Sequence, residues 1–199
     1  MDTERKYPRE VTCRKNLKVT IKPLEIGEIE DQMAFLRSLP EADLLRLPHD
    51  VLEPNYPKKV RRQIEDGLVY RMTAWNKEKI VGSLALYKGT SRWVQHTGSV
   101  VLVTHPDVRR FGVATVLFDE MIPLAKSLLI EKIYANLLDD HREAIRLFKG
   151  IGFTREALLH HHVKDTYGRY RHLRIYSMDL EAAHRAMEDL ISDFNEYAG

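Results

Sequence analysis

The residues whose types and spacing could do chemistry run Arg109-Arg110-Phe111-Gly112-Val113-Ala114-Thr115. Two guanidinium groups precede a glycine and an alanine, and such small residues let a bulky anion approach the backbone. Upstream, Val100-Val101-Leu102-Val103 is an unbroken apolar run, the pattern of a strand buried on both faces. His105-Pro106-Asp107 ends it, because Pro106 has no N–H to give a ladder. Downstream, Val113, Val116, Leu117, Met121, Leu124 and Ala125 recur at helical spacing. A strand, a tight turn and a helix start are therefore expected in series. The first N–H groups of a helix lack internal partners, and its dipole favours anions there. The turn thus suits a pyrophosphate, with Arg109 and Arg110 adding charge and paired donors. The spacing is neither a dinucleotide G-x-G-x-x-G nor a Walker loop. Taken alone, it reads equally as an ordinary turn carrying two solvated arginines.

Among the histidines, His96 lies ten residues before Pro106, near the start of the expected strand. An imidazole with a pKa of about 6.5 can take a proton at neutral pH. The other reading of His96 is a surface histidine at a strand end. His160-His161-His162 falls on a later expected strand, where adjacent side chains point to opposite faces, so His160 and His162 would share one. No second ligand pair stands at metal spacing, and no metal is expected. Cys13 is the single cysteine, which excludes an internal disulfide framework.

The elements that must position these residues follow from period and punctuation. Met1 to Asn16 is polar without a period and reads as a flexible N-terminal arm, 1–16. Leu17 to Leu24 alternates and reads as a strand, with Pro23 placing its end on or near an edge. Gly27 to Leu39 is an expected helix. Pro40 to Pro57 is a long connector with four prolines, a short helix at Glu41 to Leu47 and the acids Glu41, Asp43, Asp50 and Glu53. Connectors of this length are often functional lids. Lys58 to Asp66 is an expected helix stopped by Gly67. Val69 to Trp75 and Ile80 to Lys88 form a hairpin, and Trp93 to Thr104 enters the central strand. The helix from Gly112 to about Leu128 contains Pro123, where a kink or break is expected. Ile133 to Leu137 is a strand, Asp140 to Gly150 a helix, and Glu156 to Asp165 and Tyr170 to Leu180 the last two strands. Glu181 to Tyr197 is an amphipathic appended helix, 181–199, able to pack on its own domain or to form a homodimer contact.

His105-Pro106-Asp107-x-Arg109-x-x-Gly112-x-Ala114 resembles the cofactor motif of the GNAT superfamily of N-acetyltransferases, Arg/Gln-x-x-Gly-x-Gly/Ala. Ala144-Ile145-Arg146-Leu147-Phe148-Lys149-Gly150-Ile151-Gly152-Phe153 resembles the family's second motif, Ala-Ile-x-Leu-Tyr-x-x-x-Gly-Phe, about 30 residues on. The resemblance spans residues 17–180. It implies an α/β (α+β) GNAT fold, a mixed, mostly antiparallel sheet of about seven strands flanked by helices. It also implies acetyl-CoA as cosubstrate, with backbone N–H groups of Arg110, Phe111, Gly112, Val113, Ala114 and Thr115 on the pyrophosphate and Arg109 beside them. Leu102, Val103 and Thr104 would lie where the family splays two strands apart to admit pantetheine, with the Val103 N–H facing the thioester carbonyl. His141, in place of the family's asparagine, would still contact pantetheine, and Phe148 of the second motif would also lie against the cofactor.

Two departures stand out. The glutamate that many members use as base is absent, and counting back from Pro106 lands on His96, the candidate catalytic base. The tyrosine that serves as acid is Phe148, which cannot donate a proton; water, Tyr167 or Tyr170 would have to act. A peptide α-amine with pKa about 7.7–8.0 is neutral far more often at pH 7 than lysine at about 10.4. A site with a weak base and no acid therefore suits a protein or peptide α-amine first and a small-molecule amine second. The C-terminal strands resemble ribosomal-protein acetyltransferases of the RimI/RimL type, and the N-terminal stretch resembles bacterial protein-lysine acetyltransferase domains. The alternative is a non-catalytic acyl-CoA-binding module with a decayed site.

Composition bounds the rest. The chain has 199 residues, 44% apolar and 30% charged, with a formal charge of +2. That is the balance of one globular domain, and the charge is too small to argue for nucleic acid. No apolar run reaches membrane-span length, and the charged N-terminus lacks a signal-peptide core. A cytoplasmic location is the expectation.

Overall fold

In the computed structural model, residues 6–182 are described. They form one eight-stranded sheet of order β1-β2-β3-β4-β5-β6-β8-β7. The strands are β1 (Arg9–Thr12), β2 (Lys18–Pro23), β3 (Val69–Asn76), β4 (Lys79–Lys88), β5 (Thr97–Thr104), β6 (Lys132–Leu138), β7 (Thr154–Lys164) and β8 (Tyr170–Asp179). The helices are α1 (Ile29–Arg37), α2 (Glu41–Leu44), α3 (Tyr56–Glu65), α4 (Val113–Ser127) and α5 (Arg142–Gly150). All neighbours are antiparallel except β5 and β6. The appended helix expected at 181–199 falls almost wholly outside the described residues. No helix among the described residues is long and apolar enough to cross a membrane.

Two apolar clusters cover the sheet. Leu117, Phe118 and Met121 of α4 and Phe148 of α5 join Leu84, Leu86, Val100 and Ile133 in one. Ile29, Met33 and Leu36 of α1 join Val60 of α3, Trp75 and Ile80 in the other. The spacing within α1, with Ile29, Met33 and Leu36 buried, follows the i, i+4, i+7 stripe of an amphipathic helix. Within the first cluster, the Phe148 and Phe153 rings meet edge to face at 4.9 Å, and Phe118 and Phe153 at 5.4 Å.

Four local expectations are corrected. Residues 9–12 are not a loose arm but the edge strand β1, registered from Arg9↔Ile21 to Thr12↔Lys18. Its anchors are nonlocal: Tyr7 Oη donates to Glu120 Oε2 at 3.0 Å, and Arg9 pairs with the other carboxylate oxygen. Cys13 is buried behind it. This adds the eighth strand and moves the edge from β2 to β1. The Leu24 N–H donates to the Arg71 carbonyl, so Pro23, one residue earlier, faces away from β3, where β1 has already ended.

The central strand begins at Thr97 rather than Trp93. The turn before it is held by Val94 N–H to Ser91 O at 3.0 Å and Thr97 N–H to Val94 O at 2.9 Å. Helix α4 continues through Pro123, so the break expected there does not occur; Met121 and Ala125 on either side are buried in the core. The simple alternation expected over His160–His162 is interrupted. The β7–β8 register shifts between Leu159 and Val163, His161 adopts φ 52°, and its N–H donates to His172 Nδ1.

Phe148 thus belongs to the core rather than to a proton path, being 3% exposed. Phe148→Ala is expected to cost about 3–5 kcal/mol, the range for emptying a buried phenylalanine site. Denaturant unfolding with an unchanged slope reads this directly.

Candidate active site

The site begins where two strands part. Strands β5 and β6 pair in parallel only through Thr97↔Lys132, Gly98↔Ile133 and Ser99↔Tyr134. Beyond Ser99, β5 continues to Thr104 along β4, and β6 continues to Leu138 along β8. The two strands thus diverge, and one edge of β5 is left open. The apolar run is accordingly not buried on both faces: Val101, Leu102 and Val103 are half-buried.

Ladder alternation identifies the open groups. His105 N–H donates to Val81 O at 2.8 Å, and Gly89 N–H donates to Thr97 O at 3.0 Å. With the register Ser83↔Val103, odd-numbered residues of β5 turn their backbone groups to β4 and even-numbered ones turn away. Leu102 and Thr104 therefore present their N–H groups to the opening. Val103 does not, which corrects the expectation placed on its amide. The Val103 and Val101 side chains point instead into a cleft on the α1 and α3 side of the sheet.

The open edge leads into the turn. Gly112 adopts φ 92° immediately before α4, a conformation that glycine takes without the Cβ penalty. Arg110 also lies in the left-handed region, at φ 65°. The amides of Val113, Ala114 and Thr115 form the first turn of α4, free of helical partners. Phe111 differs, since its N–H donates to Val108 O at 3.3 Å. The segment after β1 braces this turn: Arg14 N–H donates to Phe111 O at 2.8 Å, and Lys15 Nζ lies 4.8 Å from the Phe111 ring centre. Arg109 is not a freely mobile charge. Its Nη2 lies 2.6 Å from Asp43 Oδ2 of α2 and 3.5 Å from the Thr104 carbonyl. On its other side α2 meets the β7–β8 loop, where Tyr167 Oη donates to Glu41 Oε1 at 2.7 Å.

The cleft is lined by Gln32, His49, Tyr56, Arg71, Ser83 and Tyr87, with apolar walls from Leu36, Leu47, Pro48, Val51 and the two valines. Cross-strand register puts Arg71, Ala85 and Val101 in one row and Ser83 beside Val103 in the next. The His49 ring packs against Tyr87 at 5.4 Å between centres, tilted by 58°. Burial, with help from the Lys59 and Arg71 charges, pushes the His49 pKa below its ordinary 6.5. Burial likewise pushes the Tyr87 hydroxyl up to about 12. Both groups are therefore neutral at pH 7.

The expected site residues divide accordingly. Leu102, Val103, Thr104 and the turn from Arg109 to Thr115 come together at the open end of β5. His141 starts α5, with its pKa lowered by burial and the Arg46 charge. His96 does not join them. It is exposed in the turn before β5, its carbonyl accepting from the Glu131 N–H at 2.8 Å. That is the paired end of β5, whose first residue, Thr97, is already six residues and about 20 Å of strand from Val103. Tyr170 is exposed on β8. Among the described residues no group of acids, histidines and cysteine could hold a metal. Sequence reasoning missed His49, Arg71, Gln32 and Ser83. The one signal was the long connector, which holds His49 between Pro48 and Asp50.

The acetyltransferase (GNAT) family matches over residues 36–153. A curated relative, thialysine N-ε-acetyltransferase of Caenorhabditis elegans, is 29% identical over 100 residues, 50% of this chain. The match spans 62% of that relative's length. The structure of smu.2055 from Streptococcus mutans UA159 aligns with a TM-score of 0.69 and 25% identity, covering 80% of this chain and 98% of that one. A putative acetyltransferase, yncA of Salmonella typhimurium, solved with its cofactor acetyl-CoA, aligns with a TM-score of 0.70 and 16% identity, covering 81% and 94%.

The left-handed turn gives a direct test. Gly112→Ala places a Cβ at φ 92°, a cost of about 1–2 kcal/mol. The expected result is roughly tenfold weaker acetyl-CoA binding by calorimetry, with the unfolding transition retained.

Proposed function

The chain belongs to the GNAT acetyltransferase family, and from that premise we propose that it transfers the acetyl group of acetyl-CoA to a primary amine. One observation carries the reading. The open edge of β5 runs into the Gly112 turn on one side and borders a cleft with mixed polar and apolar walls on the other. Pantetheine amides can pair with Leu102 and Thr104 as a missing strand would, while the amides of Val113, Ala114 and Thr115 hold the pyrophosphate. The N–H at the open edge that faces the thioester carbonyl stabilises the developing oxyanion.

The amine enters through the cleft. Its nitrogen attacks the thioester carbon, a C–N bond forms, the C–S bond breaks, and one amine proton leaves. His49 is the cleft's proton acceptor in this account, directly or through a water, and takes over the role expected of His96. Its lowered pKa keeps it unprotonated at neutral pH, and general-base assistance is worth ~10²–10⁴ in rate. Phe148 lies in the core, so the departing thiolate takes its proton from solvent; a thiol pKa of about 8.5 makes that step undemanding. The presence of a neutral imidazole in the cleft favours an enzyme over a non-catalytic acyl-CoA-binding module.

The base assignment fixes the sign of the pH dependence. A base acts when deprotonated, above its pKa, and burial lowers the His49 pKa. The acid limb of kcat against pH is expected to have its midpoint below 6.5. His49→Gln is expected to lower kcat by ~10²-fold or more and to remove that limb, whereas His96→Gln leaves both unchanged. An unaltered profile in His49→Gln would move the proton elsewhere.

A further inference from the structure

The acceptor cleft contains a cation without a counter-ion. Arg71 sits mid-strand on β3, 7% exposed. Its Nη2 donates to Tyr56 Oη at 3.3 Å and to Tyr87 Oη at 3.1 Å. Both acceptors are neutral phenols, and the Arg71 Nε has no hydrogen-bond partner. Among the described residues, every arginine or lysine ion pair to a carboxylate involves other residues. A buried charge is normally paired, because taking it from water is costly otherwise.

Arg71 is not alone in this. Gln32 is fully buried on α1, and neither its Oε1 nor its Nε2 has a partner; Ser83 Oγ on β4 is buried and unpartnered as well. Buried polar atoms without partners are rare in folded proteins. Four of the described residues carry such atoms; three of them, from three separate elements, line one cleft, and the fourth is Arg174 on β8. That coincidence marks groups kept for a ligand. The set comprises a planar guanidinium, a hydroxyl and a carboxamide whose N–H2 donates to an anion and whose oxygen is left for an N–H or O–H donor of the ligand. One positive charge with several donors matches a monoanion that accepts hydrogen bonds in a plane.

We propose that this cleft binds a carboxylate of the acceptor through Arg71, with Gln32 and Ser83 completing its hydrogen bonds. The acceptor is then an amine that also bears a carboxylate, of the amino-acid class, rather than a polyamine or a simple alkylamine. The proposal rests on the acetyl-transfer reading of the same cleft. It adds a specificity rule: the anion is read by Arg71, and the amine is thereby held near the open edge of β5. Cations such as polyamines meet a like charge there, which disfavours them.

The test compares acids with their amides, lysine with lysinamide and β-alanine with β-alaninamide, with rates corrected for the fraction of free amine in each, and spermidine as a carboxylate-free amine. Thiol release from acetyl-CoA gives kcat/KM for each. Calorimetry with the N-acetylated acids and their amides gives affinity whether or not turnover occurs. The proposal expects at least one acid to exceed its amide by about 10–100-fold, the range that one charge-assisted hydrogen bond supplies. In Arg71→Gln that ratio falls to near one, whatever the common change in rate for acid and amide, and Arg71→Lys restores part of it. A retained cooperative unfolding transition shows that the variant folds. Equal values for acid and amide in the unaltered protein overturn the carboxylate site, as does an undiminished ratio in Arg71→Gln. Turnover of spermidine and amides at the rate of acids overturns it while leaving acetyl transfer intact. Acid-selective binding without turnover of any amine would instead keep the site and overturn acetyl transfer.

Discussion

The architecture turns on an incomplete ladder. A strand that loses its neighbour leaves backbone donors and acceptors that must find water or another partner. Strand β5 loses β6 after Ser99↔Tyr134, yet continues for five residues against β4. Gly98 helps seat the closed end, since a Cβ there would come within 2.7 Å of Leu86 Cδ1. Past that point β6 is committed to β8 along its whole length. The opening is therefore fixed by pairings on both sides of it, and a ligand strand can fill it without rearranging the sheet.

The surroundings of the opening share one property, which is polar groups held without partners. The start of α4 presents free amides beside Gly112. The cleft across the sheet holds the unpartnered atoms of Gln32, Arg71 and Ser83. Such groups weaken a folded protein, and stability must come from elsewhere. It comes from the two apolar clusters, with Phe118, Phe148 and Phe153 interlocked on one face and α1 packed on Val60 and Trp75 on the other. The connector closes the arrangement. Through Asp43 to Arg109 and Glu41 to Tyr167, α2 links the turn to the β7–β8 loop.

How much of this the sequence discloses depends on whether the determining interactions are local. The Gly112 turn is local, and so are the helical period of α4 and the hairpin at Lys77 and Glu78. All three are legible from residue order. Strand β1 is not, because it is held by Glu120 more than a hundred residues away. The His161 irregularity depends on His172 across the hairpin. For the site, the cofactor side is legible because one continuous segment makes it. The acceptor side is assembled from α1, the connector, β3 and β4, so His49 and Arg71 carry no spacing signal. His96 shows the converse. Counting along the chain locates a strand end, but the end of β5 that it marks is the paired one, away from the opening.

The most direct measurement is amide hydrogen exchange along β5, residue by residue, with and without acetyl-CoA. If the open edge receives the pantetheine arm, the amides of Leu102 and Thr104 gain protection on addition of acetyl-CoA. Those of Val101 and Val103, already bonded to β4, change little. Equal protection of all four before addition, or protection gained at Val101 and Val103 instead, would contradict the open edge on which the account rests.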